Sequence, residues 1–536
     1  MEQQDDFCED VLLASERGEV LDKSFPEDLQ WEMLVDVLRG KVKVNTHCYE
    51  STDFAAFVRH TNEFKFPVAA FHHAHEAYIV PELLKQAYGN TPAVAIFATN
   101  ARYKREAWRG SEYAARELAN NNISVIMKSD HPVTPSRYLL WEAQQVHHFG
   151  LPENLALASI TTTPAKTAGF DHRVGFVREN YDADLVLWDS HPLQLGATPQ
   201  QVWIDGIAQL AAPVAAKEVT HGKAPEPAPL PRDYDPYAEQ EDDQDPAVPS
   251  TADMHDHVDF VNVAEALVSV GGSVQELKAS TNEPFTVQVR SGEITCVGVC
   301  EASKAATQVD LHGGSLLPPL YAYGPALGLV EIIAEKSTVD NAVFDPLADG
   351  ELSALQQNWG PRIAVKAIDA LEFGGKHLAG ARKAGLTRAV TAPMGDGFFR
   401  GVSVAFRTGA RHVLEKGAVI KEAAALHVTI GHYKLVQRPS ISTQVAELRL
   451  RLLTGLRASA DKASKSHGDE ESSIDYWAQA ATGDLPLVVN VWKADHMATL
   501  VRLKGEVEST ASELGLHVSP NWIMYVSLCV FAASVI

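Results

Sequence analysis

Within residues 41–132, four short runs decide the fold: VKVNTH (42–47), VAAFHH (68–73), AVAIFAT (93–99) and ISVIMKSD (123–130). Each is apolar or β-branched and brief, the signature of a strand buried in a sheet. Between them lie segments of helical character: DFAAFVRHTNEF (53–64), EAYIVPELLKQAY (76–88) and SEYAARELANN (111–121). Strand alternating with helix predicts an α/β unit, a mostly parallel sheet covered by helices. Beyond Pro132 the reading continues with helices over YLLWEAQQVHHFG (138–150) and LALASITTTPAKTAG (155–169). ADLVLWD (183–189) and VWIDGIAQ (202–209) then alternate like antiparallel strands.

Outward from this first unit, residues 1–210, composition shifts. Residues 211–254 are rich in Pro and Ala and carry an acidic cluster at 239–245, which predicts an extended linker. A second unit is expected over 255–536. FTVQVRSGEITCVGVC (285–300) predicts a hairpin turning at Ser291-Gly292. TRAVTAP (387–393), AALHVTIGH (424–432) and LPLVVNVW (485–492) predict further parallel-type strands. There is an internal echo: KVKVNTHCYESTDFAAFVR (41–59) and PLVVNVWKADHMATLVR (486–502) both run from a β-branched strand through a polar loop to a helix ending in Val-Arg.

The 536 residues carry a formal charge of −23 and are 46% hydrophobic. So acidic a chain is a poor partner for nucleic acid or an anionic membrane. The five cysteines, Cys8, Cys48, Cys296, Cys300 and Cys529, are scattered and odd in number. They suggest no disulfide framework and make a reducing compartment, the cytoplasm, the default.

Three residues stand at predicted strand ends: His47, His73 and Asp130. In a β/α barrel the C-terminal strand ends face one mouth. Imidazole nitrogen and carboxylate oxygen suit Zn²⁺, and also Mn²⁺ or Fe²⁺. His72, His73 and His75 compete for one role, and strand alternation sends His72 and His73 to opposite faces. The His147-His148 pair reads as surface or packing, Lys41 and Lys43 as solvated. GDGFFRG (395–401) lacks the residues of a phosphate loop.

VNTHCYE (44–50), HHAHEAY (72–78), MKSDHPV (127–133) and TTTPAKTAGFDHRVGFVRENYDADLVLWDSHPL (161–193) together resemble the amidohydrolase superfamily, in its imidazolonepropionase-like group. Large fungal members of that group bear the label carbohydrate esterase family 9. The four stretches are similar to the group's strand-five His, strand-six H-x-x-E-A-Y, strand-eight Asp and barrel-closing segments. The resemblance implies a partial or permuted (β/α)8 TIM-like barrel with a small β domain. It implies metal ligands at His47, His73 and Asp130, with zinc first among divalent metals and Asp130 also the general base. The implied reaction is hydrolysis of a carbon–nitrogen (non-peptide) bond, and the implied substrate is a small-molecule amide, or an ester cleaved at its carbon–oxygen bond.

The family's strand-one H-x-H pair does not precede His47, so the first unit is expected to be the C-terminal half of a barrel. Residues 283–512 resemble the other half in degenerate form. GGSLLPPLYAYGPALGL (313–329) places Gly324 and Ala326 at the two histidine positions, and the echo places Trp492 where the first unit has His47. None of these side chains offers a metal an electron pair. His427 and His432 are expected to have structural or surface roles. Impaired activity is therefore expected, with a non-catalytic scaffold or a carbohydrate deacetylase/esterase as alternatives. A homo-oligomer is compatible with this reading.

Overall fold

The computed structural model describes residues 1–98, 102–132, 135–211, 222–230, 234–235, 257–270, 273–278, 285–301, 306–324, 326–343, 347, 365–395, 397–431, 439–464 and 475–525. They fall into two compact units, Met1–Gln240 and Glu241–Val530.

The first unit opens with helices α1 (Glu2–Glu16) and α2 (Glu32–Leu38). Strand β1 (Val44–Cys48), helix α3 (Ser51–Phe64), strand β2 (Val68–His73), helix α4 (Pro81–Leu84), strand β3 (Ala93–Ile96), helix α5 (Ala114–Asn120) and strand β4 (Val125–Met127) follow. The four strands form one sheet in the order β1-β2-β3-β4, every pair parallel. This is the expected α/β sheet, open at β1 and β4 rather than closed on itself.

Local chemistry explains α3. Glu50 and Asp53 form a capping box at its start, and Lys65 ends it in the left-handed region. Phe54, Val58 and Thr61, spaced at helical repeats, are its buried face. Phe54 meets Phe71 of β2 edge to face at 5.2 Å, in a core that includes Leu84, Val94 and Leu118.

Helices α6 (Leu139–His148), α7 (Glu153–Ala158) and α8 (Thr162–Ala168) complete the layer. The segment over 155–169, read as one helix, is two, broken between Ala158 and Thr162. Strands β5 (Leu185–Trp188), β6 (Pro199–Ile204) and β7 (Ile207–Ala208) form a separate antiparallel sheet. The long ordered motif before them is structural at its glycine. Gly175 sits at φ 87°, and a Cβ there would lie 2.6 Å from that of Ala165.

Of the expected linker, residues 222–230 and 234–235 are described, and most of its remainder lies outside the described residues. The described part has no regular element and is held to the first unit. Ala228 N–H donates to the His148 carbonyl at 2.8 Å, and Tyr234 Oη donates to Glu117 at 3.1 Å. His147 places Nδ1 2.9 Å from the Leu151 carbonyl and Nε2 2.9 Å from the Pro225 carbonyl.

In the second unit, strands β8 (His257–Val261), β9 (Glu265–Val270), β10 (Ser273–Lys278), β11 (Thr286–Arg290), β12 (Glu293–Gly298), β13 (Thr307–Asp310) and β14 (Ser315–Leu316) make two small sheets, ordered β12-β11-β8-β13 and β10-β9-β14. The β11–β12 hairpin turns at Ser291-Gly292 as expected, with φ of 51° and 82°. Cys296 and Cys300 are joined as a disulfide, which corrects the expectation that the cysteines form no disulfide.

The main sheet there has six strands: β15 (Leu320–Tyr323), β16 (Leu386–Thr391), β17 (Phe399–Arg407), β18 (Val419–Thr429), β19 (Leu487–Asn490) and β20 (Trp522–Tyr525), in that order. It is mixed rather than parallel, because β17 runs antiparallel to both neighbours. The connections 392–398 and 408–418 explain this: a parallel crossover needs about a dozen residues or more. Helices Ile441–Ser464, Tyr476–Thr482 and Ala494–Glu513 join the core of this sheet through Leu448, Leu452, Leu456, Trp477, Ala480, Leu500 and Leu503. Each arm of the internal echo is a strand followed by a helix: β1 with α3, and β19 with Ala494–Glu513.

Candidate functional site

The ends of β1, β2 and β4 position the histidines. Parallel register pairs His47 with His72 and Cys48 with His73. Alternation then separates the two histidines of β2. His72 Nε2 lies 3.0 Å from Asn45 Oδ1, whereas His73 is 3% exposed and brings Nε2 to 3.1 Å from His47 Nδ1. The chain turns sharply after β2, with His73 at φ 67° and Ala74 at φ 43°. Such left-handed backbone at non-glycine residues costs about 1–3 kcal/mol each. Ala74 N–H to Cys48 O at 2.8 Å and Glu76 N–H to Tyr49 O at 3.1 Å hold the turn against β1.

A third group approaches from β4. Lys128 Nζ lies 2.8 Å from His73 Nδ1 and 3.4 Å from its Nε2. The two distances together place the ammonium beside the ring, facing both nitrogens of His73 rather than lying along one lone pair. Burial, then the Lys128 charge, holds His73 neutral, its pKa pushed down to about 2. His72 is pushed down to about 4 by the same two causes in the same order. Burial lowers Lys128 itself to about 8.

Asp130 follows in the left-handed region at φ 53° and is exposed. Its carboxylate charge acts on Tyr49, His72 and Lys128, but it does not close on the imidazole pair. Among the described residues, no group of three or more His, Cys, Asp or Glu is arranged to hold a metal. The pair alone passes a test of fit. Two imidazole nitrogens on one tetrahedral zinc stand about 3.3 Å apart, from bonds of about 2.0–2.1 Å. The 3.1 Å observed and the neutral state of His73 suit that arrangement. His75 adds a vacancy in the hydrogen bonding: it is 4% exposed, and neither ring nitrogen has a partner.

Several neighbours carried no prediction. Tyr49 stacks on His73 with centroids 4.8 Å apart, and on His75 at 5.7 Å. Lys104 Nζ donates to Tyr49 Oη at 2.7 Å, and Tyr103 Oη is 3.4 Å from the same oxygen. The position of Lys128, two residues before Asp130 in K-S-D, was a usable signal. Lys104 and Tyr103 arrive from a loop after β3 that periodicity does not align. The remaining motif residues are structural. Glu76 accepts from Ser51 N–H at the start of α3 (2.9 Å) and faces Arg109 at 3.6 Å, and Tyr78 Oη donates to the Arg109 carbonyl at 2.9 Å.

In the second unit, Gly324 turns at φ 85° and donates its N–H to the Val390 carbonyl at 2.9 Å. Ala326 packs on the core of Leu329 and Phe406. The Trp492 indole lies over Gly431, where a Cβ would come within 2.2 Å of it. His427 is buried with Nε2 2.9 Å from Ser403 Oγ, and burial first, Arg400 second, pushes its pKa down to about 3. His432 lies outside the described residues.

The model of the amidohydrolase family matches residues 21–219. The amidohydrolase tasK of Hapsidospora irregularis is 35% identical over 535 residues, covering 94% of this chain and 50% of the relative. Over residues 21–219 the chain is similar to the amidohydrolase family. It spans about half the length of that curated relative. An amidohydrolase from Thermotoga maritima MSB8 is similar at 26% identity and a TM-score of 0.34, over 39% of this chain and 53% of that one. An adenosine deaminase from Xanthomonas campestris is similar at 15% identity and a TM-score of 0.26, over 36% and 50%. No described helix is long and apolar enough to cross a membrane.

Proposed function

We propose that the first unit is the C-terminal half of a (β/α)8 barrel of the imidazolonepropionase-like group, and that its chemistry is hydrolysis of a carbon–nitrogen (non-peptide) bond in a small molecule. The boundaries proposed are 1–210 for this half and its small β strands, 211–254 for the connection, and 255–536 for a degenerate second unit. The observation that carries the reading is the His47–His73 pair, two imidazoles meeting at 3.1 Å where parallel strands end.

His47 and His73 would hold a divalent metal, zinc before others, with Asp130 as the third ligand. When bound, the metal supplies Lewis-acid polarisation of the scissile carbonyl. The chain's own residues do the rest. Asp130, exposed at the end of β4, takes a proton as general base. Tyr49, stacked on His73, fixes the plane of that ring and walls the site from solvent.

The same structure supports a second reading, a chain with impaired or no catalysis. Lys128 stands against His73, and Gly324, Ala326 and Trp492 offer no ligands. Metal stoichiometry and amide hydrolysis of the purified chain, beside a His73→Ala variant, separate the two. The hydrolase reading expects metal in the parent and its loss in the variant. Equal metal in both removes His73 from the site. Bound metal with no turnover on any amide leaves the scaffold reading.

A cytoplasmic location is proposed on the free thiols of Cys8 and Cys48, and the Cys296–Cys300 bridge stands against it. Finding that bridge intact in rapidly alkylated extracts would overturn the proposal.

A further inference from the structure

The segment that leaves the small β strands of the first unit reads GKAPEPAPLPRDYD over 222–235, with prolines at 225, 227, 229 and 231. Proline fixes its own φ and confines the residue before it to extended backbone. From Ala224 to Pro231 every residue is a proline or precedes one. Such a stretch is held extended by its own sequence, so docking it costs little order.

Its described residues lie along a face built on α5 and α6. Gln194 Nε2 donates to the Lys223 carbonyl at 2.9 Å, His147 Nε2 stands 2.9 Å from the Pro225 carbonyl, and Ala228 N–H donates to the His148 carbonyl at 2.8 Å. Gly222 comes so close to Gln194 that a Cβ on it would lie 2.3 Å from Nε2. Tyr234 is the aromatic anchor. Its ring is 4.6 Å from that of Tyr113 and 6.0 Å from the Arg116 guanidinium, and its Oη donates to the buried Glu117 carboxylate at 3.1 Å. Burial first and the Glu117 charge second raise this phenol, so it stays a donor at neutral pH.

Two features suit the face to recognition. Its groups are carried on helices whose Ala115, Leu118, Ala143 and Val146 belong to the core, and Gln194 is tied to α6 by Gln144, whose Nε2 donates to its carbonyl at 2.9 Å. The face therefore keeps its shape when the segment leaves. The segment in turn is read through its main chain and one tyrosine, while Glu226, Pro227 and Pro229 are exposed.

We propose that this face of α5 and α6 is a docking site for an extended, proline-rich partner peptide with a downstream tyrosine, and that the chain's own residues 222–235 hold it closed in cis. None of its groups belongs to the histidine site, so the proposal stands apart from the hydrolase reading.

The test titrates the full chain and a double variant, Ala228→Pro with Tyr234→Ala, into fluorescently labelled GKAPEPAPLPRDYD and reads anisotropy. Ala228→Pro deletes the N–H and keeps the extended backbone. A tethered competitor acts at an effective concentration of about 1 mM, so a peptide of about 100 µM affinity should bind the parent about tenfold more weakly than the double variant. A peptide carrying the same two replacements should fail to compete, a control that leaves the protein unaltered. Circular dichroism confirms that the variant folds. Equal affinity in parent and double variant, no binding to the folded double variant at millimolar peptide, or competition by the altered peptide overturns the proposal. So does a parent that light scattering finds dimeric beside a monomeric double variant, because the segment would then sit on a second copy.

Discussion

Replacing Lys128 with Met should tighten zinc binding by the first unit. Lys128 Nζ stands 2.8 Å from His73 Nδ1 and 3.4 Å from Nε2, the nitrogen that faces His47. A ligating histidine turns a lone pair toward the metal and its N–H on the far nitrogen toward an acceptor, and an ammonium is no acceptor. Metal binding through Nε2 must therefore displace the lysine contact. A hydrogen bond to a charged group contributes about 1.5–3 kcal/mol, so its removal beforehand should improve affinity about 10- to 100-fold. Like-charge repulsion between ammonium and metal acts in the same direction. Lys128→Met keeps an unbranched apolar stem while deleting the charge, which lies 4.5 Å from the centroid of the Phe97 ring. Competition titration of apo protein against a chromophoric zinc chelator measures the effect. Lys128→Arg, which restores a cation, should bind zinc like the parent. Unchanged affinity in Lys128→Met, or weaker affinity in a folded variant, refutes the argument that this lysine opposes metal at the histidine pair.

The remaining expectations concern the second unit. His427 is pushed down to about 3 in the fold, against about 6.5 when unfolded, so the unfolded chain binds the extra proton between those values. Its contribution is present above about pH 6.5 and lost as pH falls toward about 3, so urea midpoints should fall from pH 7.5 to 5.0 and fall less in His427→Leu. Gly455→Ala should cost about 1–3 kcal/mol by overpacking, because its Cβ would meet the Ala478 backbone nitrogen at 2.7 Å. A urea melt that matches the parent would contradict that contact. Asp475 accepts from Trp477 and Ala478 N–H as the cap of Tyr476–Thr482, so Asp475→Ala should cost about 1 kcal/mol in the same assay.

The sheet of the first unit was legible because each of its strands is buried and short, and because Gly, Pro and polar residues punctuate the spaces between. β1 to β4 fall where the runs at 42–130 place them. The direction of β17 was not legible, since a buried apolar run says nothing of orientation and the decisive quantity is the length of its connections. At the site, alternation along β2 correctly separates His72 from His73, and the structure brings His73 to His47. It does not bring Asp130 to the pair, because the backbone at Asp130 turns through a left-handed conformation that no spacing rule reports. Lys104, Tyr103 and Tyr49 converge through a loop and a stacked ring, both products of tertiary packing.

His147 on α6 carries a consequence for how the chain leaves the first unit. Its two ring nitrogens face two carbonyl oxygens, those of Leu151 and Pro225, each at 2.9 Å. Carbonyls only accept, so both contacts together require a hydrogen on each nitrogen, and a neutral ring can keep one of them. The Leu151 contact belongs to the end of α6 itself, whereas the Pro225 contact reaches 78 residues along the chain. The Pro-rich segment is thereby stapled to the first unit at four points, through Pro225, Ala228, Tyr234 and Lys223, whose carbonyl accepts from Gln194 Nε2 at 2.9 Å.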